Sequence, residues 1–538
     1  MTTGKQPLSS LGLAQDRGKP LSRRAFMERA LAAGMTVSAA SLLWSDKVLA
    51  DTPKRGGLFR VGMDDSNTTD QLDPATAESH HMIQMNHAIR NYLTEITEDN
   101  VVGPELAAGW EATPDATRWT FDLVKEATFH NGKPFTARDA MDSLNHHRGD
   151  TNSAAKPLLE AVTEIKTDGD HTLVVTLNAG SADFPYILTD YHLAMMPSNG
   201  EGGVDADSGI GTGGYQIKAH EPGVESVLER NPNYWKPDHA WFDGVQFLAL
   251  NDPNARQTAI RTKQVDAITE PELKTLHLLA QDEDLVVDEV ASGAHVTLPM
   301  FVDQAPFDNN DLRLALKYGI NRDEILQKVL RGHGTLGNDH PIGPTLPYWA
   351  NLEQRQYDPD RAKHHLKKAG MEGAKVTLST AETAFPGAVD MAVLFKEHLA
   401  PVGIDLTIDR QPNDGYWSNV WLVKPFVVVG WGARPTPDVM FSLAYAKGAA
   451  WNESHFADER FNKLLVEARA ELDDDKRHEI YAEMQEILRD RGGTIVPFFR
   501  NRVIVRRSTV RHGEKLTGNW ALDGARASER WWFAEGQG

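Results

Sequence analysis

Apolar and polar positions in this chain fall into two registers. Trp119-Thr120-Phe121-Asp122-Leu123 and His171-Thr172-Leu173-Val174-Val175-Thr176-Leu177 carry apolar side chains at every second position. A period of two predicts half-buried strands. A further strand is predicted at Gly56-Gly57-Leu58-Phe59-Arg60-Val61-Gly62, followed by a turn at Leu72-Asp73-Pro74. Helical spacing predicts a helix over 78–93. Another is predicted over 136–147, opened by Thr136 with Asp139 at the third helical position, an acidic capping box.

Helix and strand alternate in the second half. Helices are predicted at 310–318, 322–330, 359–369 (stopped by Gly370), 389–399, 458–472 and 476–490. Strands are predicted at 375–379, 404–408, 494–499 and 503–506. The run 426–429 is apolar throughout, as in a buried parallel strand. The pattern shows no repeat and no low-complexity linker. Interspersed helices and strands define an α/β chain with more than one sheet. At 538 residues it is too long for one core.

Composition narrows the function. Apolar residues make up 41% and charged residues 25%, as in folded globular proteins. The net charge of −20 disfavours nucleic acid and anionic membranes as partners. The chain has no cysteine, which excludes disulfides, thiolate metal sites, cysteine nucleophiles and lipid attachment through an N-terminal cysteine.

Ser22-Arg23-Arg24-Ala25-Phe26-Met27 precedes a weakly apolar stretch over 30–43, and Val48-Leu49-Ala50 offers a small-residue cleavage site. This resembles a twin-arginine export signal, with Glu28 where Lys is often found. The alternative is a short amphipathic helix of the folded protein. The stretch is too short and polar for a stable membrane span. The first 50 residues hold seven Lys/Arg and three Asp/Glu, so the chain from Asp51 carries −24 (−20 minus +4). A soluble periplasmic protein is expected.

Gly103-Pro104-Glu105-Leu106-Ala107-Ala108-Gly109-Trp110-Glu111 comes before the 119–123 strand, which runs on through His130-Asn131-Gly132-Lys133-Pro134-Phe135. Later come Gly211-Thr212-Gly213-Gly214-Tyr215, Arg230-Asn231-Pro232-Asn233-Tyr234-Trp235, Arg313 to Arg322, Tyr357-Asp358-Pro359 and Val402-Gly403-Ile404. In this order they resemble the dipeptide/oligopeptide-binding family (family 5, cluster C) of periplasmic solute-binding proteins of ABC importers. Gly214 stands where that family usually has Pro. Asn131-Gly132 suits a tight hairpin turn, and Gly211 and Gly213 suit backbone angles denied to other residues. Trp110, Trp119 and Trp235 are expected in the core.

The resemblance spans about 55–500. It implies a two-lobed periplasmic-binding-protein fold of α/β class, with mixed sheets, an inserted domain and a hinged ligand cleft. After the signal at 1–50, the first lobe would comprise 51–82, 205–290 and 506–538. The inserted domain would be 83–204 and the second lobe 291–505. It further implies a monomeric, non-catalytic receptor without cofactor. Such a receptor closes on a peptide or peptide-like small molecule and passes it to the permease subunits in the inner membrane. To reverse a 99:1 open preference, the solute must favour the closed form by about 5.5 kcal/mol.

The ligand site departs from the pattern. In peptide-binding relatives an Asp three residues after a Gly-Trp receives the peptide amine; in Gly430-Trp431-Gly432-Ala433-Arg434-Pro435-Thr436-Pro437-Asp438 that position is Arg434. A guanidinium suits a carboxylate or phosphate instead. Ungapped matching puts Glu382 where dipeptide-binding relatives have the Arg that receives the carboxylate. Together these invert the pocket's polarity, as for a zwitterion bound in reverse and carrying an acidic group. Asp438 is the alternative amine acceptor, or else the partner of Arg434 in a solvated loop. Trp431, Tyr416 and Trp417 are candidate pocket walls, with packing as the alternative for the last two. Glu78, Ser79 and His80 follow the Leu72-Asp73-Pro74 turn and are candidates from the facing lobe.

Other classes fit less well. His80, His81 and His87 lack the i, i+4 spacing of a helical metal pair, and His146-His147 point apart. A hydrolase elbow of the Gly-x-Ser-x-Gly type is absent, and Gly211-Thr212-Gly213-Gly214 lacks the Lys-Ser/Thr ending of a phosphate loop. A non-peptide solute such as an opine, an amino-acid derivative, a sugar or a nickel chelate is the alternative within the same class. An exported hydrolase is the alternative outside it.

Overall fold

The computed structural model describes residues 53–412, 416–449 and 451–534. The export segment and Asn413-Asp414-Gly415 lie outside the described residues. None of the described helices is long and apolar enough to cross a membrane.

The period-two segments become the centre of a four-stranded antiparallel sheet, ordered Ala107–Ala112, Arg118–Leu123, Thr172–Leu177 and Val162–Thr167. Phe121 pairs with Leu173, and both are fully buried. The helix Ala137–Asn145 covers this sheet and opens with the expected Thr136–Asp139 capping box. Trp119 is buried, while Trp110 and Trp235 pack at the edge of the same core.

A seven-stranded mixed sheet is ordered Leu285–Val290, Arg502–Arg507, Ala267–Ile268, Leu58–Met63, Gly244–Ala249, Glu225–Arg230 and Tyr215–Glu221. Leu58–Met63 runs parallel to both its neighbours. Arg502–Arg507 lies wholly in this sheet, across the expected boundary at 505/506. The helix His80–Ile89 packs its Met82, Met85 and Ile89 on the core of this sheet. It is shorter than 78–93 because the Ser79 side chain accepts the Met82 N–H and caps it, leaving Glu78 outside.

The third body centres on a sheet of Gly334–Leu336, Phe498–Arg500, His295–Pro299 and Val429–Trp431, with Thr494–Ile495 also pairing to His295–Pro299. A βαβ unit, Lys375–Thr380, Ala388–Leu399 and Asp405–Arg410, packs beside it with parallel strands. The run 426–429 is not a parallel strand. Phe426 bridges Met300 antiparallel, Val427 bridges Ser379 in parallel, and Val429–Trp431 pairs antiparallel with His295–Pro299. Burial on both faces makes such a run apolar whichever way its neighbours point. The expected 494–499 strand is split, since Pro497 cannot donate to a ladder.

The seven- and five-stranded sheets are joined twice, by residues 291–294 and by Asn501. The crossings lie side by side, because Val290 pairs with Arg502 on one side and His295 with Phe499 on the other. This geometry suits a two-stranded hinge.

One motif reading changes, and one motif residue gains a role. Gly211 and Gly213 do not have positive φ. They are glycines because a Cβ there would lie 2.1 Å from the Ile89 carbonyl oxygen and 2.4 Å from the Ile89 carbonyl carbon, respectively. Glu105 anchors a buried charge cluster. Both its oxygens accept from Arg526 (2.7 and 2.9 Å), and Lys236 reaches it at 2.9 Å.

Candidate functional site

Strand register places one row of residues on the edge of the five-stranded sheet that faces the seven-stranded sheet. Arg500 pairs with Gly334, Phe499 with His295, and His295 with Trp431. Arg434 follows three residues beyond Trp431. The His295 ring is fully buried and stacks on Trp431 at 6.5 Å, with its Nδ1 bonded to the Gly293 carbonyl and its Nε2 without a partner. Burial, with Arg434 and Arg500 nearby, pushes its pKa down to about 4, so the ring is neutral.

Beneath this row lies Glu453, buried and without a cationic partner. Its carboxylate accepts from Thr297 Oγ1 (2.6 Å), Trp421 Nε1 (2.8 Å) and Trp431 Nε1 (3.1 Å). Burial outweighs these donors and raises its pKa to about 7. Trp451 packs edge-on against both indoles, and Trp417 against Trp421. Trp417 and Trp451 are 43% and 39% exposed, so the tryptophan cluster opens to solvent on one side.

The opposite wall is acidic. Asp64 holds the His80 imidazole at 2.9 Å. Burial disfavours the charged ring, but the Asp64 hydrogen bond and charge outweigh it and raise its pKa. Glu270 pairs with Arg502 at 2.8 Å. From the four-stranded region comes Asp190, whose Oδ1 accepts from both the backbone N–H and Nδ1 of His192. Among the described residues no hydrogen bond to its Oδ2 is seen. Asp190 lies within electrostatic reach of Arg434 without forming an ion pair. Tyr191 meets Trp520 edge-on at 5.1 Å. Trp520 precedes a left-handed run with φ of 55°, 60°, 66° and 66° at Leu522, Asp523, Gly524 and Ala525. Such angles cost about 1–2 kcal/mol per non-glycine residue. Asp523 supports the run by accepting from Thr517 N and Trp531 Nε1.

The residues singled out in the sequence have different fates. Trp431 and Arg434 lie on the facing edge. Arg434 is half-buried, sits 5.8 Å from the Trp431 ring centroid, and donates only to the carbonyls of Gly432 and Ala433. Burial holds its pKa below the ordinary value. Asp438 is not free for an amine and does not pair with Arg434. It is buried and engaged by Arg469 Nε (3.0 Å) and Ser442 Oγ (3.1 Å), in the first turn of the helix Pro437–Ala444. Glu382 is exposed and accepts from the N–H groups of Gly387 and Val389, at the N-terminus of Ala388–Leu399. It serves there as a helix cap. Tyr416 is buried and its hydroxyl donates to the Val428 carbonyl at 2.8 Å, so it is a packing residue rather than a wall. Trp417 reaches solvent at the margin of the tryptophan cluster, and His80 stands on the acidic wall.

Sequence reasoning missed Asp190, His295, Glu453, Arg500 and Trp520. A signal existed only for Arg500, a charge ending the apolar pair Phe498-Phe499. A cavity of about 270 Å³ between Leu58, Asp266, Arg507 and Phe533 lies at the opposite end of the seven-stranded sheet and takes no part in this site.

The profile of the bacterial extracellular solute-binding proteins, family 5, matches residues 101–453. The chain belongs to this family. It is 26% identical over 435 residues to di/tripeptide-binding protein 1 of Pseudomonas aeruginosa (strain UCBPP-PA14), covering 74% of this chain and 81% of that protein. Its fold matches that of the periplasmic binding protein DppA from Helicobacter pylori in complex with the peptide STSA. The TM-score is 0.74 at 23% identity, over 89% of this chain and 99% of that one. It also matches the binding protein AgaA from A. tumefaciens R10 in complex with agropinic acid. There the TM-score is 0.74 at 21% identity, with the same coverage. As a family 5 member the chain belongs to a group of binding proteins, not enzymes.

Proposed function

We propose that this protein is the periplasmic receptor of an ABC importer, and that it captures a zwitterionic peptide or peptide-like solute with its carboxylate on Arg434. The carrying observation is that Arg434 stands on the cleft edge with no acidic partner in contact, while both acidic candidates near it in sequence or motif, Asp438 and Glu382, are committed elsewhere. A guanidinium so placed selects an anion. Asp190, with Oδ2 open, is the acceptor for the solute's ammonium from the other side. The relatives named for di/tripeptides and for the peptide STSA support the peptide class.

In this reading the domains divide as the resemblance implies except that the last boundary moves from 505/506 to Asn501, with residues 291–294 and Asn501 as the hinge, and the monomer acts without cofactor. Export follows the twin-arginine route. Arg23→Lys with Arg24→Lys then leaves precursor in the cytoplasm, and normal export of that variant excludes the route.

The binding test is titration calorimetry with a dipeptide panel and with agropinic acid. Dipeptides are expected to bind the wild type, and Arg434→Asp is expected to change the ranking of ligands rather than only the melting temperature. An unchanged ranking and affinity removes Arg434 from the site. Tight binding of agropinic acid with no peptide binding replaces the peptide class by opines.

A further inference from the structure

Several interior arginines of the described residues have acceptors at their terminal nitrogens, although Nε of Arg90, Arg313 and Arg322 is buried without a hydrogen-bond partner. Arg313 donates to the carbonyls of Phe307 and Arg491. Arg506 is held by Asp288, and Arg526 by Glu105 and Glu529. Arg500 differs. Its backbone is fixed, since its N–H donates to Ala294 at 2.7 Å and its carbonyl accepts from Ser292 Oγ at 2.9 Å. Its guanidinium donates to nothing, and Nε is buried without an acceptor. The nearest acid across the crossing, Glu270, is already paired with Arg502.

Arg500 is half-buried, and only its Nε is enclosed, so an arriving anion meets the terminal nitrogens without breaking an existing pair. Its position says what arrives. Arg500 ends its strand beside the crossing, and Arg434 follows the strand Val429–Trp431. His295 stands between those two strands and lies within electrostatic reach of both guanidinium groups. The neutral His295 ring adds an unfilled acceptor, not a competing cation.

We propose that Arg500 is a second anion anchor of the cleft, so that the solute carries two acidic groups, one for Arg434 and one for Arg500. This rests on the receptor reading above and deepens it. The expected class is a short peptide or peptide-like compound with an acidic side chain as well as a terminal carboxylate.

The test compares Ala-Glu with Ala-Gln by titration calorimetry. The two differ by one charge and keep the same length. Wild type is expected to bind Ala-Glu at least about tenfold more tightly, the scale of one hydrogen bond to a charged group. Arg500→Gln is expected to bring that ratio close to one while Ala-Gln binding is kept, and Arg500→Lys to restore part of it. A ratio that survives Arg500→Gln, or is absent in the wild type, overturns the second anchor. So does equal weakening of both peptides in Arg500→Gln, which would make Arg500 a closure contact with Glu270. In those three outcomes, loss of both peptides in Arg434→Gln still supports the receptor reading. Failure of both peptides to bind the wild type overturns the peptide reading and this inference together.

Discussion

Asp183 and Arg477, the latter in the helix Asp474–Arg491, form a buried ion pair, Oδ1 to Nη2 at 2.5 Å. Arg477 also donates to the Ala468 carbonyl and to the Tyr348 hydroxyl, so the guanidinium is fixed from three sides. Next to it, the Ala182 N–H donates to the Arg469 carbonyl at 2.7 Å. Ala182 and Asp183 are thereby tied to the helices Glu459–Ala470 and Asp474–Arg491.

Arg477→Ala strands the Asp183 carboxylate in a dry interface. A loss of about 3–5 kcal/mol in urea unfolding is expected. Removing both partners should recover much of it, because the stranded charge goes too. A loss below about 1 kcal/mol would place the pair in the class of exposed ion pairs.

The Glu105 cluster gives an acid-limb prediction. Burial alone would raise the Glu105 pKa, but Arg526 and Lys236 overcome it and hold it at about 2, below the ordinary 4.5. A depressed carboxylate stabilises the fold above its unfolded pKa and stops doing so as pH falls through the folded one. Wild type should therefore lose stability between pH 4.5 and 2. Glu105→Gln should be less stable by about 3–5 kcal/mol at pH 7, with a flatter acid limb in urea midpoints. Parallel acid limbs in the two proteins would remove Glu105 as the cause.

Glu453 has the opposite sign. Its folded pKa, about 7, exceeds 4.5, so the folded chain binds the proton more tightly than the unfolded chain. Its contribution is most favourable below pH 4.5 and declines as pH rises to about 7. The stability gap between wild type and Glu453→Gln should narrow between pH 4.5 and about 7, by up to roughly 3 kcal/mol. Because Trp421 and Trp431 donate to this carboxylate, tryptophan fluorescence of the folded wild type should titrate near pH 7. A gap independent of pH, with no such titration, would mean that the group stays ionised throughout.

The elements were legible where their signal is local. The Asn310–Tyr318 helix has the expected ends because Asn309 caps it through its side chain, and the 119–123 alternation gives the observed strand because one face meets the core. Trp431 and Arg434 were singled out as candidates by one motif. Asp190, His295, Glu453 and Arg500 come from four distant segments, two of them loops, that only the tertiary fold brings near one another. Glu382 is used by a helix start, whereas Asp438 is held by Arg469 from a second helix and by Ser442. A carboxylate beside a helix start is readily taken up by that helix, and sequence spacing alone does not tell a cap from a ligand contact.

Two glycines separate two reasons for being glycine. Gly132 has φ of 82° and no atom within 4 Å of where a Cβ would sit, so Gly132→Ala meets only backbone strain. A cost of about 1 kcal/mol is expected. Gly213 has an ordinary φ but lies against the end of the helix His80–Ile89. A Cβ there would stand 2.4 Å from the Ile89 carbonyl carbon, 2.5 Å from the Ala88 carbonyl oxygen and 2.6 Å from the Arg90 nitrogen. All three are backbone atoms and do not rotate away as a side chain would. The Gly213 N–H also donates to the Ile89 carbonyl at 3.0 Å, so moving the loop breaks a hydrogen bond. Gly213→Ala should cost about 3 kcal/mol or more, the upper range for overpacking. Because His80 opens the helix whose end Gly213 abuts, the displacement should also disturb the cleft wall. Urea unfolding of the two variants checks the contrast. Equal losses would mean that close approach is not what fixes Gly213.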